Sequence, residues 1–442
     1  MQGVFVRGLS QILAVILILA HLTTPPPLPC LTLDEAIQRA LENSPDLRRA
    51  QSNRNAVRQT VSQATGRYLP QVTFSLNYGK GRNAFELPDF GPGGATGGST
   101  LQRFDISNPF RTQVSVSVPL YTGGALSGQV HATRAALRAA DQTVKQQRQT
   151  MVLRVRETYY GVLRALDLVK ASVSSVERAR ELYRVTSKKF DAGVRPRSDV
   201  LRAEVAMASA ERNFLLATNA LELARSALND AIGRDLNALV EVEPPSLEPQ
   251  ELMTSVDEDI ARATRDRPEL QALREQAAGL EGTVRAARSA LLPGAALTGD
   301  YAVADTHPSA SPDRSSWVVG GALRWVVFDG AVSLSRYRET LYAQEGARQA
   351  VESLQRRIAL EVKQAYLGVR EAFDRISLAD RQVRSAQESF RNIEAAYREG
   401  MAVQVDMLDA QASLSAAEAE AAVARYDHLI AWARYQFAIG AE

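Results

Sequence analysis

The chain of 442 residues has a single cysteine, Cys30, so it can form neither an internal disulfide nor a cysteine metal cluster. Its four histidines, His21, His131, His307 and His428, lie far apart, and no HExxH, CxxC or GxxxxGK[ST] pattern occurs. Each histidine therefore reads as a surface or packing residue. No arrangement of nucleophile and base stands out, which leaves nothing for a hydrolase to use. Net charge is only +2, so there is no basic field for nucleic acid and no acidic tail. The hydrophobic fraction of 45% and the charged fraction of 23% are ordinary for a folded protein. The apolar run at residues 9–22 spans roughly 14 residues, short of the ~20 that cross a bilayer as a helix. Arg7 precedes it, and Pro25, Pro26, Pro27 and Pro29 forbid its continuation as a helix. Residues 1–29 are thus expected to be a secretory leader, although no clean A-x-A cleavage site follows. Cys30 follows Pro29, with Pro27 three before it, a poor setting for lipid attachment. Its loss with the leader, or survival as a free thiol, is expected instead.

What the chain does have is an internal duplication. The stretch Asp34-Glu35-Ala36-Ile37 through Pro45-Asp46-Leu47 aligns with Asp257-Glu258-Asp259-Ile260 through Pro268-Glu269-Leu270. Leu69-Pro70 matches Leu292-Pro293 at the same offset. After one loop of different length a second constant offset takes over. Tyr159-Tyr160-Gly161-Val162 then matches Tyr366-Leu367-Gly368-Val369, Phe190-x-x-Gly193 matches Tyr397-x-x-Gly400, and Ile232-Gly233 matches Ile439-Gly440. The two repeats are placed at 30–233 and 257–442, with a proline-bearing linker at 234–256.

Each repeat reads as helix, strand, loop, strand, very long helix, turn, helix. Val72, Phe74, Leu76 and Tyr78 alternate with polar residues, as do Val114, Val116, Val118 and Leu120. The second repeat is weaker, with Leu297, Gly299, Tyr301 and Val303 on one face, then Trp317, Val319, Leu323, Trp325 and Val327. Strands are predicted near 71–79, 112–121, 295–304 and 317–328, each the length of a tilted membrane strand. Long coiled-coil hairpins are predicted at 126–231 and 332–437. Their first arms carry apolar seams stepping by four and three: Val155, Tyr159, Val162, Leu166, Val169, Val173 and Val176, then Val362, Tyr366, Val369, Phe373 and Ile376. At ~1.5 Å per residue each long helix, 126–190 and 332–397, measures roughly 95 Å. The fold class is mostly α with a small β part.

Four such strands cannot close into a barrel, and lipid does not tolerate open edges. Two chains would supply eight strands and three would supply twelve, both permitted even counts. Here specific motifs add to the pattern. Pro119-Leu120-Tyr121-Thr122-Gly123-Gly124 resembles the strand-to-helix turn of the TolC-type outer-membrane factor family. Val326-Val327-Phe328-Asp329-Gly330-Ala331 is its second copy, lacking the proline and the last glycine. Tyr397-x-x-Gly400, followed by Val405-Asp406-Met407-Leu408-Asp409-Ala410, is similar to the family's periplasmic tip, with Phe190-x-x-Gly193 and Asp199-Val200-Leu201 as its first-repeat form. The resemblance covers nearly the whole chain beyond the leader. It implies an internally duplicated protomer of a homotrimer, with a 12-stranded β-barrel in outer-membrane lipid continued by a 12-helix periplasmic α-barrel. It further implies an efflux or type I secretion duct without cofactor or chemistry, loaded by an inner-membrane pump through a periplasmic adaptor.

The same resemblance assigns residues. Asp406 and Asp409 match the paired tip aspartates, which threefold symmetry turns into rings at the narrowest point. The alternative is that Asp406 caps the returning helix and Asp409 is a solvated first-turn acid. The first-repeat counterpart of Asp409 is Arg202. Family members often carry a latch arginine two residues after the second tip glycine, where this chain has Ala402. Gly193, Val194, Gly400 and Met401 lie at the turns where an adaptor would dock, and both glycines also suit helix termination. Pro119, Gly123, Gly124 and Gly330 make the strand-to-helix turns. Phe85, Phe90, Phe104 and Phe110 sit in the long first loop, with Tyr78 and Phe110 suited to the membrane interface.

Three rivals stand against the duct. A periplasmic coiled-coil adaptor explains the seams and leader but not four membrane-length strands or the duplication. A secreted hydrolase lacks its catalytic groups. A filament-like protein does not need glycine-rich turns or aromatic-bearing strands.

Overall fold

The computed structural model describes residues 30–79, 110–244, 249–305 and 315–441. The expected leader and the aromatics Phe85, Phe90 and Phe104 lie outside the described residues. The elements are α1 (Leu33–Asn43), α2 (Pro45–Gly66), β1 (Gln71–Tyr78), β2 (Phe110–Tyr121), α3 (Ala125–Asp191), α4 (Arg197–Ala231), α5 (Val256–Asp266), α6 (Pro268–Arg288), β3 (Gly294–Asp305), β4 (Ser315–Arg324), α7 (Val332–Arg398) and α8 (Gln404–Ala438). The duplication is visible in their lengths. Helices α3 and α7 have 67 residues each, and α4 and α8 have 35 each.

The helices begin where their sequences provide for it. Thr32 Oγ1 accepts the Glu35 amide ahead of α1. Ser255 and Glu258 form a reciprocal capping box ahead of α5. Pro45 and Pro268 open α2 and α6, where a missing N–H costs nothing.

The chain forms two compact units. One comprises the chain to Ala50 with Val144–Pro268 and the chain from Gln355; the other comprises Gln51–Thr143 and Glu269–Leu354. In the first unit, α3 lies between α4 and α8. Val155, Tyr159 and Val162 of α3 are buried with Ala36 and Ala40 of α1, Leu221 and Leu228 of α4, and Leu429 and Ile430 of α8. That is the central part of the apolar seam; Val173, read as part of it, is exposed. Ion pairs flank the seam on both sides: toward α4, Arg154 pairs with Asp230 and Arg180 with Glu211, and toward α8 there are three more. Glu157 pairs with Arg434, Arg164 with Asp427, and Arg178 with Glu418, while Ser175 and Ser415 hydroxyls meet at 3.0 Å. The Asp427 carboxylate also takes Arg375 of α7 at 2.7 Å, so one acid ties both long helices to α8.

The linker is held to the same core. Leu31 and Val242 form a parallel bridge, and the Tyr159 hydroxyl lies 2.8 Å from the Leu31 carbonyl and 2.7 Å from that of Glu243. Burial pushes the Tyr159 phenol up to about 12. In the second repeat, Asp259 takes hydrogen bonds from the hydroxyls of Tyr435, at 2.6 Å, and Thr254, at 3.0 Å.

The second unit holds an antiparallel sheet in the order β1-β2-β3-β4. Its register sorts the side chains by face. Val72, Val116, Gly299 and Val319 share one level, and Phe74, Val114, Tyr301 and Trp317 the next. The opposite face carries Thr73, Ser115 and Asp300, where Gln113 donates to the Asp300 carboxylate at 2.9 Å. Phe74 is 65% and Trp317 73% exposed, values suited to lipid contact and not to a water-soluble surface. Strand β4 ends at Arg324, so Trp325 and Val327, read from sequence as strand residues, lie beyond it. The physical reason is the partner: β3 begins at Gly294, opposite Arg324, and Pro293 before it has no N–H to extend the ladder. The sheet does not close on itself, because β1 and β4 each have one neighbour.

Helices α3 and α6 approach closely in this unit through Gly128 and Gly282. A Cβ on either glycine would collide with the carbonyl oxygen of the other, and next with the backbone of Ala286 or Ala132. Backbone cannot yield as a side-chain tip can. Gly128→Ala is expected to destabilise the protein by ~1–3 kcal/mol through overpacking. Thermal unfolding of the detergent-extracted variant checks this; an unchanged midpoint would show that the helices part freely.

Candidate functional site

The strand-to-helix turns come first along the chain. Gly123 and Gly124 have φ +60° and +97°, and Gly330 has φ +70°. The position after Gly330 is Ala331, at φ +66°, so the second copy keeps the left-handed backbone although it has lost the second glycine. A left-handed conformation costs an L-residue on the order of 1–2 kcal/mol. The turn compensates through Asp329, which accepts the Ser333 amide at 2.9 Å and its hydroxyl at 2.5 Å. Those hydrogen bonds, the hydroxyl's first, hold the carboxyl below its usual range. In the first copy Thr122 occupies the same place and receives the Leu126 amide at 3.4 Å. Pro119 lies in β2, at a register irregularity against β3.

The helix-helix turns at the far ends of α3 and α7 form the second region. Gly193 has φ +72° and Gly400 +82°. The amides that follow reach back across each turn: Val194 to the Lys189 carbonyl at 2.9 Å, and Met401 to that of Ala396 at 2.8 Å. Both glycines therefore act as left-handed helix terminators. Val194 and Met401 remain exposed.

The residue capping α8 is Val403, with no side-chain hydrogen bond, so Asp406 is not the cap. Asp406 and Asp409 are the third and sixth residues of α8 and share one face, both exposed. Neither forms an ion pair among the described residues, so neither charge is neutralised by them. Asp199, the first-repeat counterpart of Asp406, is 8% exposed, and its carboxylate lies 3.8 Å from Arg195.

The two turns are clasped together around Tyr397, which is 2% exposed. Its ring packs with Leu182, Ala203 and Met407. Lys189 stands 4.6 Å from the ring centroid and donates to the Tyr397 carbonyl at 3.3 Å. The Arg195 guanidinium stands 5.0 Å from the same centroid and donates to the Ala402 carbonyl at 3.4 Å. Buried Gln404 donates to the Asp199 carbonyl at 2.6 Å. Cations over an aromatic face are attracted to its quadrupole, more strongly when desolvated. Ala402 stands where a latch arginine was expected, while Arg195, two residues after the first tip glycine, occupies the equivalent place in the first repeat. That matching offset was the signal available.

Among the described residues no group of side chains could hold a metal ion. His428 is buried and stacked near Phe373 and Trp432, with its Nε2 against the Gln250 carbonyl at 3.1 Å. Burial lowers its pKa, so it is a neutral packing residue.

With this geometry in place, comparison with known proteins decides the family. The Outer membrane efflux protein family matches residues 36–234 and 260–441, one segment for each repeat. The chain belongs to the Outer membrane efflux protein family. It is 25% identical to the alkaline protease secretion protein AprF of Pseudomonas aeruginosa, over 91% of this chain and 82% of that one. It is 26% identical to the outer membrane protein TolC of Escherichia coli, over 92% of this chain and 82% of that one. The fold is similar to that of the outer-membrane channel OprN, at TM-score 0.80 and 22% identity, over 93% and 90% of the two chains. It is similar also to CusC, at TM-score 0.81 and 18% identity, over 93% and 92%. This outer membrane efflux protein is a duct of a tripartite efflux or secretion system, placed in the outer membrane with its large helical part in the periplasm. TolC-type channels are homotrimers that pair with periplasmic adaptors and inner-membrane pumps, and they are channel proteins, not enzymes.

If Arg195 and Lys189 hold the turns together, removing both should loosen them. Arg195→Ala with Lys189→Ala is expected to raise single-channel conductance several-fold while leaving trimer yield intact. Planar-bilayer recording reads the first and native gels the second; wild-type conductance would assign the clasp a packing role only.

Proposed function

We propose that this chain forms a homotrimeric duct without catalytic activity or cofactor, narrowed by rings of Asp406 and Asp409 and engaged at its helix-helix turns by a periplasmic adaptor. Cargo is small toxic molecules or polypeptides handed on by an inner-membrane pump. The observation that carries the reading is the pair of exposed, unpaired carboxylates on one face of α8, one turn from the helix start. Threefold repetition would concentrate six negative charges around the axis, and such rings favour cations. The sheet supports the trimer, since three copies supply the twelve strands that leave no edge. The helices support it too. Leu201, Val205, Leu215, Leu216 and Leu223 are exposed on α4, and Leu360, Leu367 and Leu378 on α7. Since α3 and α8 lie between them, α4 of one copy and α7 of the next are the faces left to meet.

The docking part rests on Gly193, Val194, Gly400 and Met401, which present exposed backbone and apolar side chains at the two turns. The periplasmic-adaptor reading of the chain itself has no use for a four-stranded sheet with a lipid-suited face.

Asp406→Ala with Asp409→Ala is expected to weaken cation preference strongly, measured as reversal potential in asymmetric salt. Unchanged selectivity would move the constriction elsewhere. Ala402→Trp, beside the second turn, is expected to abolish efflux in cells without reducing trimer yield. Full efflux in that variant would place adaptor docking on another surface.

A further inference from the structure

We infer that α1, α3 and α8 together form a binding site for a zwitterionic amphiphile, whose apolar chain is followed by an anion and then by a terminal ammonium. The site lies in the first compact unit, roughly 45 Å along α3 from the turn at Gly193, and does not rest on the constriction reading. Two cavities of about 190 Å³ and 320 Å³ border these helices and share Arg156 and Ala433 in their walls. They follow one another along the helices. α3 passes from Val152 in the first, through Arg156 in both, to Tyr160 in the second. α8 runs from His428 and Trp432 in the second to Phe437 in the first, and α1 from Asp34 in the second to Leu41 in the first. All three helices therefore define the same axis.

Chemical character changes along that axis. Ile37, Leu41, Val152, Leu153 and Phe437 give the first cavity apolar walls. Arg148 also borders it, but that cation is exposed and keeps its water. At the junction stands Arg156, half-buried, which donates to the Gln436 side-chain carbonyl at 2.6 Å and forms no ion pair among the described residues. A cation partly withdrawn from water without a counter-ion is a place for an anion. Beyond it the second cavity offers the Asp34 carboxylate, also outside any ion pair among the described residues, and the rings of Tyr160 and Trp432. Burial raises the Tyr160 phenol, and the charges of Arg156 and Asp34 then act on it in opposite directions, so both stand near that ring.

His428 fixes the sign at the far end. Its Nε2 lies 3.1 Å from the Gln250 carbonyl, and a carbonyl only accepts, so Nε2 carries the ring proton. Nδ1 is then a bare acceptor, buried and without a partner among the described residues. A bare acceptor, a carboxylate and two aromatic rings together complement an ammonium group. From one end to the other the cavities match chain, anion and ammonium, the order of a single-chain ethanolamine phospholipid.

The test is ligand titration of the full-length trimer in lipid nanodiscs. Trp317→Phe with Trp325→Phe leaves Trp432, which borders the second cavity, as the single tryptophan reporter. Lauroyl lysophosphatidylethanolamine is expected to shift Trp432 emission saturably. Lauroyl lysophosphatidic acid lacks the ammonium, dodecylamine lacks the anion and phosphoethanolamine lacks the chain; each is expected to bind roughly tenfold more weakly. In the same background His428→Phe keeps a packed ring but removes the acceptor, so the ethanolamine lipid should lose its advantage over the phosphatidic acid. Arg156→Gln should weaken both phosphate lipids. No saturable shift, equal affinity for the lipid without an ammonium, or unchanged affinities in both variants would each overturn the site. The ligand series needs neither site variant, so it decides the matter even if one fails to assemble.

Discussion

A sheet of four strands has two edges, and lipid offers no hydrogen bond to either. Every backbone group within the hydrocarbon must find its partner in protein. β1 and β4 each lack a neighbour on one side, and their apolar face bears Phe74, Tyr301 and Trp317. The remaining organisation follows from that constraint. The chain is built to be one part of a ring, so its helices also expose apolar edges on α4 and α7 that a solitary protein would bury.

Duplication supplies the ring with even spacing, and divergence between the repeats supplies its asymmetry. Phe190 and Tyr397 occupy equivalent positions, yet Phe190 is 39% exposed and Tyr397 2%. The difference is position within the protomer. Tyr397 lies where the two tips of one chain meet, and Phe190 is left partly in solvent. Cations from the first tip converge on the second tip's tyrosine, which makes the contact directional although the backbones are alike. The turn after β4 shows the same tolerance. Ala331 adopts the left-handed backbone of its glycine counterpart, with Asp329 supplying the hydrogen bonds that hold the bend.

Ion pairs lace α3 to both of its neighbours, with Arg154–Asp230 and Arg180–Glu211 joining it to α4. Around Val176, α3 and α4 share a small apolar cluster of Ala179, Ala210 and Phe214. Contact between α3 and α8 is laced with ion pairs and a serine pair. Partly exposed ion pairs contribute on the order of 0.2–1 kcal/mol each, so they specify alignment more than they add stability.

Much of this was legible in the chain before folding. Period-two alternation marked the strands, because side chains on a pleated sheet point to opposite faces in turn. Apolar steps of four and three marked α3 and α7, because that spacing keeps one stripe on one side of a helix. Tip glycines announced the turns, because a left-handed residue ends a helix at little cost only when it lacks a Cβ. Other features depended on residues far apart in sequence and carried no local signal. The end of β4 at Arg324 was set by Pro293, thirty-one residues earlier. The tight approach of α3 to α6 required Gly128 and Gly282 to face each other. The burial of Asp199 beside exposed Asp406 required Arg195 to lean on a tyrosine some two hundred residues downstream. Sequence by itself determined which elements form, because periodicity and backbone preference are local. Tertiary structure alone decided which equivalent residues stay charged and free, because burial and pairing depend on what packing brings alongside.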